Sequence, residues 1–205
     1  MNKDKQEIEA KFYLDHLSAL EKRLQAIHAE CTQERVLEIN LRFDTPDNEL
    51  SKGHRVLRLR RDNRVRMTYK GPADPDKSIA MRNEIEFEVS DFESGRDFLL
   101  ALGYEIRVVY EKYRASYTFD QVEVSLDEMP YGNFAEIEGP DEETIRERAG
   151  QLGLDWEARC KDSYMALFER VKEKRGLDVN NLSFEEFKGL AFSAEDFGIK
   201  TADRI

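Results

Sequence analysis

The chain is 205 residues long, 40% hydrophobic and 37% charged, with a formal net charge of −11 at pH 7. That is enough apolar material for a sizeable core in one large or two small domains, with more charge than the usual quarter or so. The acidic balance argues against nonspecific binding to nucleic acid or an anionic membrane, no apolar run approaches a membrane span, and the N-terminus lacks the apolar stretch of a signal peptide.

Cys31 and Cys160 show no metal spacing, and His16, His28 and His54 are scattered. A reduced, cytoplasmic protein is expected, and any metal should be a hard cation held by oxygen, Mg2+ or Mn2+.

In chain order, residues 7–12 (Glu-Ile-Glu-Ala-Lys-Phe) alternate as a strand. Asp15 is placed to cap a helix through Leu17, Leu20, Leu24 and Ile27 that ends near Glu30. Residues 33–43 read as a strand, closed by the turn chemistry of Asp44-Thr45-Pro46-Asp47-Asn48. Strands are predicted over 55–61 and 64–70, ended by Gly71-Pro72, with a polar loop from Gly71 to Ser78. Residues 81–90 alternate again, and Asp91 caps a short helix through Phe98, Leu99 and Leu102, stopped by Gly103. An extended run over about 104–119, a strand over 121–127 and a turn at Pro130-Tyr131-Gly132-Asn133 lead into a strand over 134–138. Asp141 caps a helix to about Leu152, and Asp162 caps one to about Lys174. In the polar tail from Gly176, Ser183 with Glu186 is a capping-box candidate for one more short helix. The result is an α+β domain over residues 1–175 with a C-terminal helical extension over 176–205.

Strand parity carries the functional signal. Glu7, Glu9 and Lys11 share a face, as do Arg58 and Arg60, then Arg64, Arg66, Thr68 and Lys70, then Arg82, Glu84, Glu86 and Glu88. Lys112 and Arg114 oppose Tyr113, Ala115 and Tyr117; Asp127 opposes Leu126; Glu136 and Glu138 oppose Ala135 and Ile137. A sheet with one wet face accounts for polarity. It accounts less well for a face made mainly of Arg and Glu. The alternative is an eight-stranded barrel with apolar side chains outward under helices and charges inward, a size that encloses one small ligand. Two like charges about 6 Å apart cost roughly 3 kcal/mol at an effective dielectric near 20. Basic residues gathered in one lumen therefore require interleaved carboxylates or a bound polyanion, and carboxylates beside a polyanion require divalent cations. Tyr110, Tyr113 and Tyr117 are expected to pack outward, and Trp156 at a helix junction.

The same residues resemble the CYTH domain, or triphosphate tunnel metalloenzymes. The hallmark Glu-x-Glu-x-Lys strand is Glu7, Glu9 and Lys11; further blocks are Phe43-Asp44-Thr45-Pro46 before Leu57-Arg58-Leu59-Arg60, Lys70-Gly71-Pro72, Arg82-Asn83-Glu84-Ile85-Glu86, Glu111-Lys112-Tyr113-Arg114, and Asp127 through Glu136-Ile137-Glu138. The resemblance spans about residues 5–170 and leaves the tail from Gly176 uncovered. It implies a closed eight-stranded antiparallel tunnel holding a triphosphate with Mg2+ or Mn2+. By position, Lys11, Arg58, Arg60, Lys70, Arg82, Lys112 and Arg114 would bind phosphate; Glu7, Glu9, Glu136 and Glu138 would hold metal; Glu84, Glu86 and Asp127 would hold metal or orient water. The implied activity is hydrolysis of a small triphosphate, such as tripolyphosphate or thiamine triphosphate, with class IV adenylate cyclase as the alternative and a non-catalytic polyphosphate-binding module as a third. The Lys70-Gly71-Pro72 and Gly132–Ile137 runs look much like those cyclases, but Met1–Gln6 stands where they carry a His-Phe pair. A monomer or homodimer is expected, with no nucleic-acid or membrane partner.

Overall fold

The computed structural model describes residues 5–72 and 80–203. The polar loop expected up to Ser78 lies outside the described residues except for Gly71 and Pro72. Among the described residues nine strands and six α-helices run in the order β1 (Lys5–Leu14), α1 (Leu17–Ala26), β2 (Glu30–Asp44), α2 (Glu49–Lys52), β3 (Val56–Arg61), β4 (Val65–Lys70), β5 (Ala80–Glu88), α3 (Phe92–Ala101), β6 (Glu105–Phe119), β7 (Val122–Met129), β8 (Gly132–Glu138), α4 (Glu142–Gln151), β9 (Arg159–Cys160), α5 (Tyr164–Arg175) and α6 (Ala194–Phe197), with a 3-10 turn at Trp156–Ala158. The strands neighbour one another in the order β5-β4-β3-β2-β6-β7-β8-β1, and β1 pairs back onto β5. All these pairings are antiparallel. The sheet is thus the closed eight-stranded barrel that parity predicts, with the short β9 added to β1 through Lys11↔Cys160 and Phe12↔Arg159.

Outward-facing side chains build two cores against helices. Ala10, Phe12 and Leu14 of β1 bury with Leu20 and Leu24 of α1 and Ile145 and Ala149 of α4. Trp156 joins them at the junction, as expected. Leu41, Phe43 and Leu59 bury with Phe92 and Leu99 of α3. Period-2 alternation on the strands and period-3.6 spacing on the helices meet here, and exclusion of apolar area from water, at roughly 25 cal/mol per Å2, drives the contact.

A third core lies at one end of the barrel. Tyr13, Met129 and Phe134 share strand parity with Lys11, Asp127 and Glu136, so they continue the inward face past the charged layer. They bury with Leu167, Phe168 and Val171 of α5 and with Leu182, Phe187 and Phe197 of the tail. The tail is tied by backbone bonds from Glu111 N to Leu182 O, Leu182 N to Val109 O and Ala202 N to Tyr13 O. It is therefore an apolar plug over part of the barrel end.

Several local expectations are corrected. The first helix ends at Ala26, short of Glu30, and His16, not Asp15, is its N-cap residue, with no side-chain cap; Asp203 accepts from Asp15 N (3.0 Å) and His16 N (2.7 Å) just ahead of the helix. Ser163, not Asp162, caps α5. Ser183 does accept from Glu186 N, but Glu186 turns to Asn180 and Asn181, and residues 184–189 form turns; the tail's helix is α6, with Ser193 N donating to Asp196. Asp91 and Asp141 cap α3 and α4 as predicted.

Candidate active site

The barrel encloses a lumen of about 1580 Å3 lined from all eight strands and by the segment 159–165. The alternation that sends Ile8, Ala10 and Phe12 into the helical core sends Glu7, Glu9 and Lys11 into this lumen. Arg58, Arg60, Lys70, Arg82, Glu84, Glu86, Lys112, Arg114, Glu136 and Glu138 line it too, while Asp127 is fully buried in its wall.

Opposite charges interleave across neighbouring strands. Lys11 Nζ stands 3.3 Å from Glu136 and 4.3 Å from the Tyr164 ring centroid. Lys70 pairs with Glu7 and, at 3.0 Å, with Glu84. Arg82 reaches Glu7 at 3.4 Å and Glu9 at 3.7 Å. Glu86 takes Arg60 at 3.2 Å, Arg58 at 3.7 Å and Arg66 at 3.8 Å. Arg114 also pairs with Glu136.

Two carboxylates lie beneath this layer, fully buried. Asp127 accepts from Lys112 Nζ (3.0 Å), Arg114 Nε (2.6 Å) and the Tyr164 hydroxyl (2.7 Å), which orients both cations toward the lumen. Glu38 on β2 has Arg114 at 3.5 Å and Arg60 and Lys112 at 3.6 Å, with no hydrogen bond to either oxygen. Burial alone would raise its pKa, but Lys112, Arg114, Arg60 and Arg58 outweigh burial and hold it down at about 2. Glu136 is likewise held well below the usual carboxylate range, burial being overcome by Lys11, Arg114 and Lys112.

The acidic wall behaves in the opposite way. Glu138 sits directly across from Glu9 on β1 and from Glu123 on β7, a row of like charges on three adjacent strands. Burial, then Glu7, Glu123 and Glu9, push Glu138 up to about 7. Burial, then Glu136, raise Glu9 as well.

A lumen that interleaves cations with carboxylates and keeps one row of self-repelling carboxylates is the expected container for a polyanion with hard cations. The CYTH domain pattern matches residues 5–154. The chain belongs to the CYTH domain family. Within it, a protein of Methanocaldococcus jannaschii named "Putative adenylate cyclase" is 28% identical over 134 residues, covering 64% of this chain and 75% of that one. A structure with the same description from Vibrio parahaemolyticus, 21% identical, superposes with a TM-score of 0.72 over 82% of this chain and 99% of its own. The Hippeastrum protein HpAC1, described as having a dominant triphosphatase activity, superposes at 0.58 with 19% identity, over 80% of this chain and 95% of its own. CYTH proteins are enzymes that act on triphosphates, as cyclases or as triphosphatases, and generally use divalent metals.

The donors of this CYTH lumen fit such a metal: Glu7, Glu9 and Glu138 are all-oxygen ligands whose mutual repulsion a hard cation relieves. The fit is one of donor chemistry and charge and not of a formed coordination shell: among the described residues no three acidic, histidine or cysteine side chains are gathered around one point, and Glu7 is paired with Lys70 and Arg82. Glu84 and Glu86 are likewise engaged with cations, and both oxygens of Asp127 are taken by donors.

Sequence reasoning overlooked Glu38 and Arg42, although both continue the alternation of Leu37, Ile39 and Leu41 on the opposite face. It also set Tyr110 outward; Tyr110 shares the parity of Lys112, is buried, and accepts from Arg58 Nη1 at 3.2 Å inside the lumen. Tyr164, which no motif marks, holds Asp127 from outside the barrel strands. No helix among the described residues is long and apolar enough to cross a membrane.

Proposed function

We propose that this chain is a metal-dependent triphosphatase that cleaves a phosphoanhydride bond of tripolyphosphate or a small organic triphosphate. The observation that carries the reading is the convergence of Lys11, Arg58, Arg60, Lys70, Arg82, Lys112 and Arg114, from β1, β3, β4, β5 and β6, on one lumen together with Glu7, Glu9 and Glu138. Guanidinium forks and ammonium points are what a chain of phosphates needs to be held and neutralised. Arg114 and Lys112 are pre-aimed by Asp127 and Glu38, and Arg58 by Tyr110, so little reorganisation accompanies charge build-up on the transferred phosphoryl group. Glu7, Glu9 and Glu138 would hold a divalent metal, Mg2+ or Mn2+, which when bound neutralises phosphate oxygens and lowers the pKa of water. Glu136, kept ionised by Lys11 and Arg114, fixes Lys11 against the substrate.

Hydrolysis is favoured over cyclisation because the two tyrosines that line the lumen are already engaged. The Tyr110 hydroxyl meets Arg58, and Tyr164 carries Lys11 on its ring and Asp127 on its hydroxyl. Cyclisation needs a base and ribose held so that the 3′-hydroxyl is in line, whereas hydrolysis needs only a placed water. The relatives named as adenylate cyclases keep cyclisation as the second reading. Tripolyphosphate, thiamine triphosphate and ATP, each supplied with Mg2+ or Mn2+, decide it: released phosphate is expected, and cyclic AMP as the main product from ATP, or no turnover of any substrate, overturns the assignment.

A further inference from the structure

Arg42 stands apart from the other cations of the lumen. It lines the cavity from β2, yet has no hydrogen bond or ion pair with any described residue. Its direct cross-strand partner on β3 is another cation, Arg58. Like charges placed opposite each other across a ladder weaken a sheet, so an uncharged residue would suit the apo fold better. Arg58 has Tyr110 and Glu86 for company, and Arg82 has Glu7 and Glu9. The nearest carboxylate along the chain, Asp44, is fully spent on Thr45 N, Leu50 N, Ser51 N and the Ser51 hydroxyl. Burial, with Arg58 and Arg82 adding to it, outweighs the opposing pull of Tyr110 and Asp44 and lowers the Arg42 pKa.

The position gives the unpaired charge a meaning. Arg42 faces Arg58 across the ladder to β3 and has Arg82 near it, and Arg82 reaches Glu9 at 3.7 Å, so Arg42 belongs to the cationic wall that meets the acidic row. The Arg42 end is rimmed by Ser51, His54, Arg55, Val56 and Pro72, a surface rich in charge and hydrogen-bonding groups.

We propose that Arg42 is a specificity-determining, ligand-binding side chain: it takes an anionic group at this end of the lumen, so that the site selects inorganic polyphosphate, anionic along its whole length, over a nucleoside triphosphate. The proposal rests on the triphosphate-binding reading above and adds which part of the ligand lies where. An anion at Arg42 pairs a desolvated cation and screens it from Arg58, an advantage that a ribose or a base at the same place does not supply.

The test uses the full chain and its Arg42→Met and Arg42→Lys variants, with calorimetric affinity and KM measured for tripolyphosphate and for ATP. Arg42→Met is expected to bind tripolyphosphate about tenfold or more weakly, the usual size of a lost charge-assisted hydrogen bond, while ATP changes less than about threefold. Arg42→Lys should recover most of the loss, and the Met variant should melt no lower than the parent. Equal losses for both ligands, or tripolyphosphate affinity unchanged in Arg42→Met, overturns the assignment of Arg42 and leaves the triphosphatase reading standing. A parent protein that binds no tripolyphosphate overturns both.

Discussion

Glu38→Gln removes one negative charge from the floor of the lumen while keeping the side chain's shape. The carboxylate is fully buried and stands 3.5–3.6 Å from Arg114, Arg60 and Lys112. Its pKa falls from the ordinary 4.5 to about 2 in the folded protein. A drop of about 2.5 units at 1.36 kcal/mol each corresponds to about 3 kcal/mol of stability. For a chain of this length that is a melting temperature lower by about 6–12 °C. The sign follows from the depressed pKa: the contribution is fully present above pH 4.5 or so and is lost as pH falls toward 2, so parent and variant should converge in acid. Thermal melts from pH 3 to 8 read this directly. Tripolyphosphate should also bind the variant more tightly, because the cations Glu38 neutralised now seek an external anion, and the ligand should raise the variant's melting point more than the parent's. A variant that melts within about 1 °C of the parent at every pH would mean that the three cations do not depend on Glu38, and that lumen water screens them instead.

Other outcomes follow from the same geometry. Lys11→Ala should lower turnover at least a hundredfold, read as phosphate release, because it removes the ammonium that Glu136 and the Tyr164 ring hold at the lumen surface. Glu9→Gln should lose turnover too, yet melt at or above the parent temperature, because its ionised form is disfavoured by burial and by Glu136. Glu138, raised to about 7, makes ionisation unfavourable for the fold, so metal-free protein should lose stability as pH rises from about 4.5 to 7, and added Mg2+ or Mn2+ should flatten that slope in melting experiments; the side chain is exposed at the mouth, so the effect is damped by solvent. Phe197→Ala, at a fully buried plug position, should cost about 3–5 kcal/mol in urea unfolding.

Strand parity made the barrel's inner face legible, because a period of two leaves no freedom about which side chains travel together. Glu7 with Glu9 and Lys11, or Arg58 with Arg60, could be assigned to one face from spacing alone, and a face of Arg and Glu needs a reason beyond solvation. Helix starts at Asp91 and Asp141 were legible for a similar reason, since the cap is made within three residues. What closes over long separations was not. Pairing of β1 with β5 brings Glu7 to Lys70 and Arg82, and nothing local says that residues so far apart will meet. Glu38 and Arg42 keep the alternation of β2, but no Glu-x-Glu or Arg-x-Arg pair marks them, and only the cations gathered from β3 and β6 show that they belong to the lumen. Tyr110 was misplaced because an aromatic ring suits either a helical core or a cation's flank, and only its neighbours decide. The tail is the extreme case: Leu182, Phe187 and Phe197 follow no common helical or strand period, because they come from a bridge, a turn and a one-turn helix laid over the mouth of a barrel. Their burial depends on Tyr13, Met129 and Phe134 waiting at that end, a complementarity that exists only once the strands have closed.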